Sequence, residues 1–168
     1  MRLATMSDLQ AIDTLVEEAK MLMQQDNNPQ WDARYPVLQD FEKDIQERTL
    51  FVLDEQQIIK GFIVINDEAP DWYDQLEWPI DRGNAFVIHR LVASSQYPGT
   101  AKQLMHFATS YAEQHQKTVL LTDTFSENQR AQSLFKKHHF IKSGEMTSNL
   151  FPFDKGKPFY AYYKKLTR

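Results

Sequence analysis

The stretch from Asn84 to Gln116 constrains this chain more than any other. It opens as Asn-Ala-Phe-Val-Ile-His-Arg-Leu-Val-Ala, where Phe86, Val87, Ile88, Leu91 and Val92 supply the β-branched and aromatic side chains of a strand. It closes in a run from Lys102 onward, where Leu104, Phe107, Ala108 and Tyr111 recur at helical spacing and mark one buried helix face. A short turn holding Gln96, Gly99 and Ala101 joins the two. Such a turn aims free backbone N–H groups outward at the positive end of the helix dipole. That geometry binds phosphate.

The flanking chain supplies a sheet and its covering helices. Arg2-Leu3-Ala4 reads as a first strand, and Thr5 with Asp8 as a capping box. Leu9, Ile12, Leu15, Val16, Ala19, Leu22 and Met23 then give an amphipathic helix that Asn27-Asn28-Pro29 ends. A loop with Trp31 and Tyr35 leads to a second helix, expected over Leu38 to Arg48. Leu50–Leu53 and Ile58–Ile65 read as a hairpin with a four-residue connection, Asp54 to Gln57, and Gly61 marks a bulge. Asp67 to Asp81 holds six acids, no Lys or Arg, and Trp72, Tyr73 and Trp78. It reads as a solvated loop with docked aromatics or, alternatively, as an acidic wall that attracts a cationic amine. Thr118–Thr122 is another strand, Ser126 caps a helix running to Lys137, and Phe140–Glu145 and Phe159–Leu166 are two final strands.

With 168 residues the chain suits one domain, 1–168, with a sizeable core. The formal charge of −4 argues against a general nucleic-acid binder. Without cysteine, thiolate metal sites and a cysteinyl acyl intermediate are ruled out, and no metal is expected. No apolar run approaches the ~18 residues of a membrane span, and the N-terminus lacks a signal-peptide apolar region. The expectation is a cytoplasmic protein with no membrane partner.

Gln96-Tyr97-Pro98-Gly99-Thr100-Ala101 resembles the acyl-CoA loop of the GNAT superfamily of N-acetyltransferases, which reads Gln or Arg, two residues, Gly, one residue, Gly or Ala. The likeness extends over nearly the whole chain. Asn128-Gln129-Arg130-Ala131-Gln132-Ser133-Leu134-Phe135 is similar to a helix of that family, and Phe140 matches a Phe that follows it. Trp31 with Tyr35-Pro36, and His89-Arg90-Leu91, recur in a bacterial branch of the family. The resemblance implies an α/β fold: a mixed, mostly antiparallel sheet of six to seven strands with helices on both faces. His139 stands where the family has Gly, which implies a left-handed cap there.

The resemblance also implies acetyl-CoA as acyl donor and a small-molecule or peptide amine as acceptor, and it leaves a homodimer open. It assigns the pyrophosphate to the loop of Gln96, Tyr97, Gly99, Thr100, Ala101 and Lys102, and the oxyanion to a backbone N–H near Leu91, Val92 or Ala93. Asn128 maps to a residue that contacts CoA, although a polar residue in a first helical turn is an equal reading. Phe135 occupies the place of a tyrosine that protonates the leaving thiolate in many relatives. His89 is the best base candidate, because it titrates near neutrality on the central strand. The alternative is a structural histidine facing a covering helix. Trp31 and Tyr35 fall in the loop that borders the acceptor side. Phe135, and Pro98 without its N–H, favour an alternative function: a GNAT-fold module that binds CoA or an amine and has lost catalysis.

Overall fold

Four α-helices and seven strands make up residues 1–167, the part of the chain that the computed structural model describes. The strands are β1 (Arg2–Leu3), β2 (Leu50–Glu55), β3 (Ile58–Asn66), β4 (Ala85–Ala93), β5 (Val119–Phe125), β6 (Ile141–Met146) and β7 (Phe159–Lys165). The helices are α1 (Leu9–Gln25), α2 (Leu38–Gln46), α3 (Thr100–Gln114) and α4 (Gln129–Lys137). The strand order is β1-β2-β3-β4-β5-β7-β6. β4 and β5 run parallel, whereas β1 with β2, β2 with β3, β5 with β7 and β6 with β7 are antiparallel. This is the mixed, mostly antiparallel sheet expected. The chain packs as two compact units, one of residues 1–65 with 89–108 and the other of 66–88 with 109 onward.

In the first unit, the apolar stripe of α1 is buried as its period requires. Ile12, Leu15 and Val16 join Phe41 and Ile45 of α2 against Leu50, Val52, Phe62 and Val64 of the hairpin. Each such fully buried side chain contributes about 1.5–3 kcal/mol. The opposite face of the hairpin meets α3, where the ring of Phe51 lies 4.9 Å from that of Phe107. Helices therefore cover both faces of this hairpin. Trp31 is 9% exposed and belongs to the α1–α2 cluster.

Two local expectations in this unit change. The hairpin connection is two residues, not four, because β2 continues to Glu55. Gln56 and Gln57 take φ of 53° and 67°, the left-handed pair that matches the twist of the flanking strands. The Asp54 side chain accepts from the Gln57 N–H at 3.0 Å and helps to hold the turn. The ladder slips one residue beside Gly61, where Leu53 pairs with Gly61 and Asp54 with Ile59. The second helix stops at Gln46, two residues early, as Arg48 turns to φ 59°.

In the second unit, Val87, Val119, Leu121, Phe125, Phe159, Ala161 and Tyr163 form a core with Trp72 and Tyr73. The acidic segment thus docks its aromatics on the body through a 3-10 turn, Asp71–Gln75, while its six acids remain exposed. The α4 cap is Asn128, not Ser126: its Oδ1 accepts from the Ala131 N–H at 3.1 Å. β5 runs on to Phe125 because β7 pairs with it as far as Phe159. His139 takes φ 67°, the left-handed cap expected of it.

Candidate functional site

Most of the residues singled out above lie in the first unit, on β4 from His89, on the loop that follows and on the first turn of α3. The β4–β5 ladder runs from Ala85 with Val119 to Ile88 with Thr122 and stops there. The edge of Leu91 and Ala93 accordingly has no rung of that ladder among the described residues. His89 is half-buried one residue past the last rung. Leu91, Val92 and Ala93 lie within the released stretch.

Beyond Ala93 the loop turns its own polar groups inward. The Ser94 N–H donates to the Lys60 carbonyl at 2.9 Å. Glu18 of α1 accepts from the Ser95 N–H at 2.8 Å, from the Ser95 hydroxyl at 2.7 Å and from the Ser94 hydroxyl at 3.3 Å. The Gln96 N–H donates to the Ser94 hydroxyl oxygen, and the Thr100 hydroxyl to the Tyr97 carbonyl at 2.8 Å. Tyr97 is flanked by the Lys60 ammonium, 5.0 Å from its ring centre.

Three N–H groups are left over. Those of Gly99, Ala101 and Lys102 meet no acceptor among the described residues, and they open the first turn of α3. Gly99 stands at φ +88°, where a side chain is strained, and a Cβ built there meets nothing within 4 Å. Open space and unpaired donors at a helix N-terminus are what a phosphate group requires. Pro98 removes no donor that α3 itself would use, since a first-turn N–H has no partner within its own helix.

The entry of α3 is fixed from below by Gly61. A Cβ at that position would fall 2.6 Å from the Val92 carbonyl oxygen, 2.8 Å from Thr100 Cγ2 and 3.2 Å from Leu104 Cδ1. Only a glycine lets β3 graze both β4 and the helix. Gly61 therefore serves a close approach as well as the slip beside it.

On the other face of β4, Arg90 forks onto the buried Asp44 of α2, with Nη2 2.7 Å from each carboxylate oxygen and Nε 3.1 Å from Oδ2. Arg90 Nη1 also donates to the Tyr35 hydroxyl at 2.9 Å, and its guanidinium lies 5.9 Å from the Phe41 ring centre. Of the two aromatics expected on the acceptor side, Tyr35 is thus tied by its hydroxyl to Arg90. Trp31 packs in the α1–α2 cluster.

The second unit holds the other two sequence-derived positions. Asn128 is buried at the cap of α4. Phe135 is 5% exposed, its ring 5.7 Å from that of Phe140 and 5.4 Å from that of Tyr162. A pair that the sequence reading did not single out joins the 3-10 turn of Asp71–Gln75 to β5 in the same unit. The Tyr73 hydroxyl donates to Asp123 Oδ2 at 2.7 Å. Burial pushes the Asp123 carboxyl up to about 6, against the pull of the Tyr73 hydrogen bond. Among the described residues no cluster of His, Asp and Glu is arranged to hold a metal ion, and no helix is long and apolar enough to cross a membrane.

Residues 13–140 match the model of the acetyltransferase (GNAT) family. Among solved structures, the chain is 43% identical to a Staphylococcus aureus Mu50 protein described as an acetyltransferase, with a TM-score of 0.78 over 99% of this chain and 98% of that one. A GNAT-family acetyltransferase of Streptococcus agalactiae 2603 is 24% identical, with a TM-score of 0.84 over 99% of this chain and 95% of that one. A ribosomal-protein-alanine N-acetyltransferase of Brucella melitensis shares the fold at 16% identity and a TM-score of 0.70, over 98% of each chain. No curated protein matches the chain.

Proposed function

Since the chain belongs to the GNAT acetyltransferase family, we propose that it moves an acetyl group from acetyl-CoA directly to a primary amine of a small molecule or peptide. The observation that carries this reading is the loop of 94–102, with its open N–H groups at Gly99, Ala101 and Lys102 and its empty space beside Gly99. These donors suit a pyrophosphate, and Glu18 holds the loop that presents them. Acetyl-CoA supplies the acetyl group as an activated thioester. The backbone of Leu91, Val92 and Ala93, lacking a ladder partner on one edge, is where oxyanion donors are available. With no cysteine in the chain, transfer without a thioester on the protein is the simpler course.

The test has two parts. Acetyl-CoA should raise the melting temperature, by an amount that corresponds to about 2.7 kcal/mol at a hundred times its dissociation constant. Gly99→Asp should remove most of that rise and Gly99→Asn should remove less, because only the first sets a negative charge against the phosphates. An equal rise in all three proteins would mean that this loop is not the cradle. Following free thiol with a panel of amines then separates an enzyme from a binding module, which would show the thermal rise without thiol release.

A further inference from the structure

We infer that Lys60 is a phosphate-binding residue of the donor site, set there by the irregularity in the β2–β3 hairpin, an inference that rests on the acetyl-CoA reading above. Every group it involves lies in the first unit. Leu53 pairs with Gly61 and Asp54 with Ile59, so Lys60 is left without a rung of its own in the β2–β3 ladder. An extra residue of this kind bends its strand and re-aims its side chain.

What the irregularity gains is contact with the loop. The Lys60 carbonyl, free of β2, accepts from the Ser94 N–H at 2.9 Å. The Lys60 ammonium reaches the ring of Tyr97, 5.0 Å from its centre. Next to Lys60, a Cβ at Gly61 would fall 2.8 Å from Thr100 Cγ2, and Thr100 stands between the open N–H groups of Gly99 and Ala101. One residue of β3 thus ties down the start of the loop with its backbone and sets a positive charge against its middle. Gln96, Gly99 and Lys102 around it are exposed, so a solvated anion has access.

The competing partner is weak. Among the described residues the carboxylate that holds the Lys60 ammonium is Glu55, across the hairpin turn. The Glu55 side chain is 45% exposed and that of Lys60 21%. An ion pair with so exposed a member adds little to stability, and Glu55 can turn to water when a better anion arrives. A phosphate group offers several oxygens and charge-assisted hydrogen bonds to a lysine. The other carboxylate at the loop, Glu18, is already engaged by the Ser94 and Ser95 donors. Lys60 therefore exchanges Glu55 for a phosphate of the donor. Acetyl-CoA carries two sources of that group, its pyrophosphate and its 3′-phosphate.

The experiment titrates acetyl-CoA and acetyl-dephospho-CoA, which lacks the 3′-phosphate, into the parent, Lys60→Met and Glu55→Gln by calorimetry, at low and high salt. Lys60→Met keeps the carbonyl that holds Ser94 and should weaken acetyl-CoA binding by about tenfold. That deficit should shrink as salt is added, because Lys60 is partly exposed. Glu55→Gln should bind acetyl-CoA about two- to fivefold more tightly, since the ammonium no longer has a carboxylate to leave. A deficit confined to acetyl-CoA assigns Lys60 to the 3′-phosphate, and an equal deficit for both donors assigns it to the pyrophosphate. Either supports the inference. Parent-like binding by Lys60→Met overturns it and leaves the donor reading standing. A deficit that salt does not reduce means that Lys60 only packs the loop, and overturns it as well. Should Lys60→Met fail to fold, Glu55→Gln decides: tighter binding supports the inference, and unchanged or weaker binding overturns it. A parent that binds neither donor overturns the acetyl-CoA reading and this inference together.

Discussion

Replacing Asp123 with Asn should make the protein more stable at neutral pH. An ordinary aspartic acid titrates at 3.8 and Asp123 at about 6. Each pH unit of separation corresponds to about 1.4 kcal/mol, so ionising this side chain in place costs the fold about 3 kcal/mol. The sign follows from the protons. Below 3.8 the folded and unfolded chains both hold the proton, and the carboxyl imposes no penalty. Between 3.8 and about 6 the folded state keeps a proton that the unfolded state has released, so stability falls as the pH rises. Above that window the full penalty applies. Asparagine carries no charge and still offers an oxygen to the Tyr73 hydroxyl, so it escapes the penalty. For a chain of this length the gain corresponds to a melting-temperature rise of roughly 6–12 °C. Thermal and urea unfolding of parent and variant at neutral pH and again near about pH 4 would measure it. A variant less stable than the parent at neutral pH would refute the reasoning, as would a gain of equal size at both pH values. A protein that keeps such a burden at a site gains something other than stability from it.

Glu18→Ala should leave overall stability within about 1 kcal/mol, since the Ser94 and Ser95 groups it releases can turn to water, yet weaken acetyl-CoA binding by about tenfold because the loop must then be ordered by the ligand. Calorimetric titration with acetyl-CoA beside urea unfolding would check both halves. Arg90→Met should cost about 3–5 kcal/mol by leaving Asp44 charged, buried and unpaired, and Arg90→Met with Asp44→Leu should recover most of that loss. Urea unfolding of the single and double variants measures the coupling.

Much of the fold was legible because its signals are local. The spacing of Ile12, Leu15 and Val16 marked α1, and the alternation of Phe159, Ala161 and Tyr163 marked β7. Errors fell where the terminator was conformational. Gln56 and Gln57 adopt the left-handed turn without the Asn or Gly that usually announces it, so the sequence predicts a longer hairpin loop than the fold has. Ser126 and Asn128 are both good caps, and composition could not choose between them. The turn from strand to helix around Gln96 to Lys102 was legible for the same reason as α1, being contiguous. The pairs Arg90 with Asp44 and Tyr73 with Asp123 are separated by 46 and 50 residues. Only the strand order brings such residues together, and no periodicity in the chain records it.

Gly61 has a bearing on how this protein could change over evolutionary time. Most crowded positions can drift, because a neighbour shrinks first and the newcomer then fits. At Gly61 the nearest obstacle is the Val92 carbonyl oxygen, which every residue type carries. Trimming Thr100 would clear one contact and leave the tighter one in place. No single substitution elsewhere opens the way, so lineages that diverge in acceptor preference must do so around a fixed point where hairpin, central strand and donor helix meet. A laboratory library that varies the loop of 96–102 inherits the same boundary: it can alter what the loop contacts, while the height and angle at which α3 begins are held by a residue 39 positions upstream of Thr100.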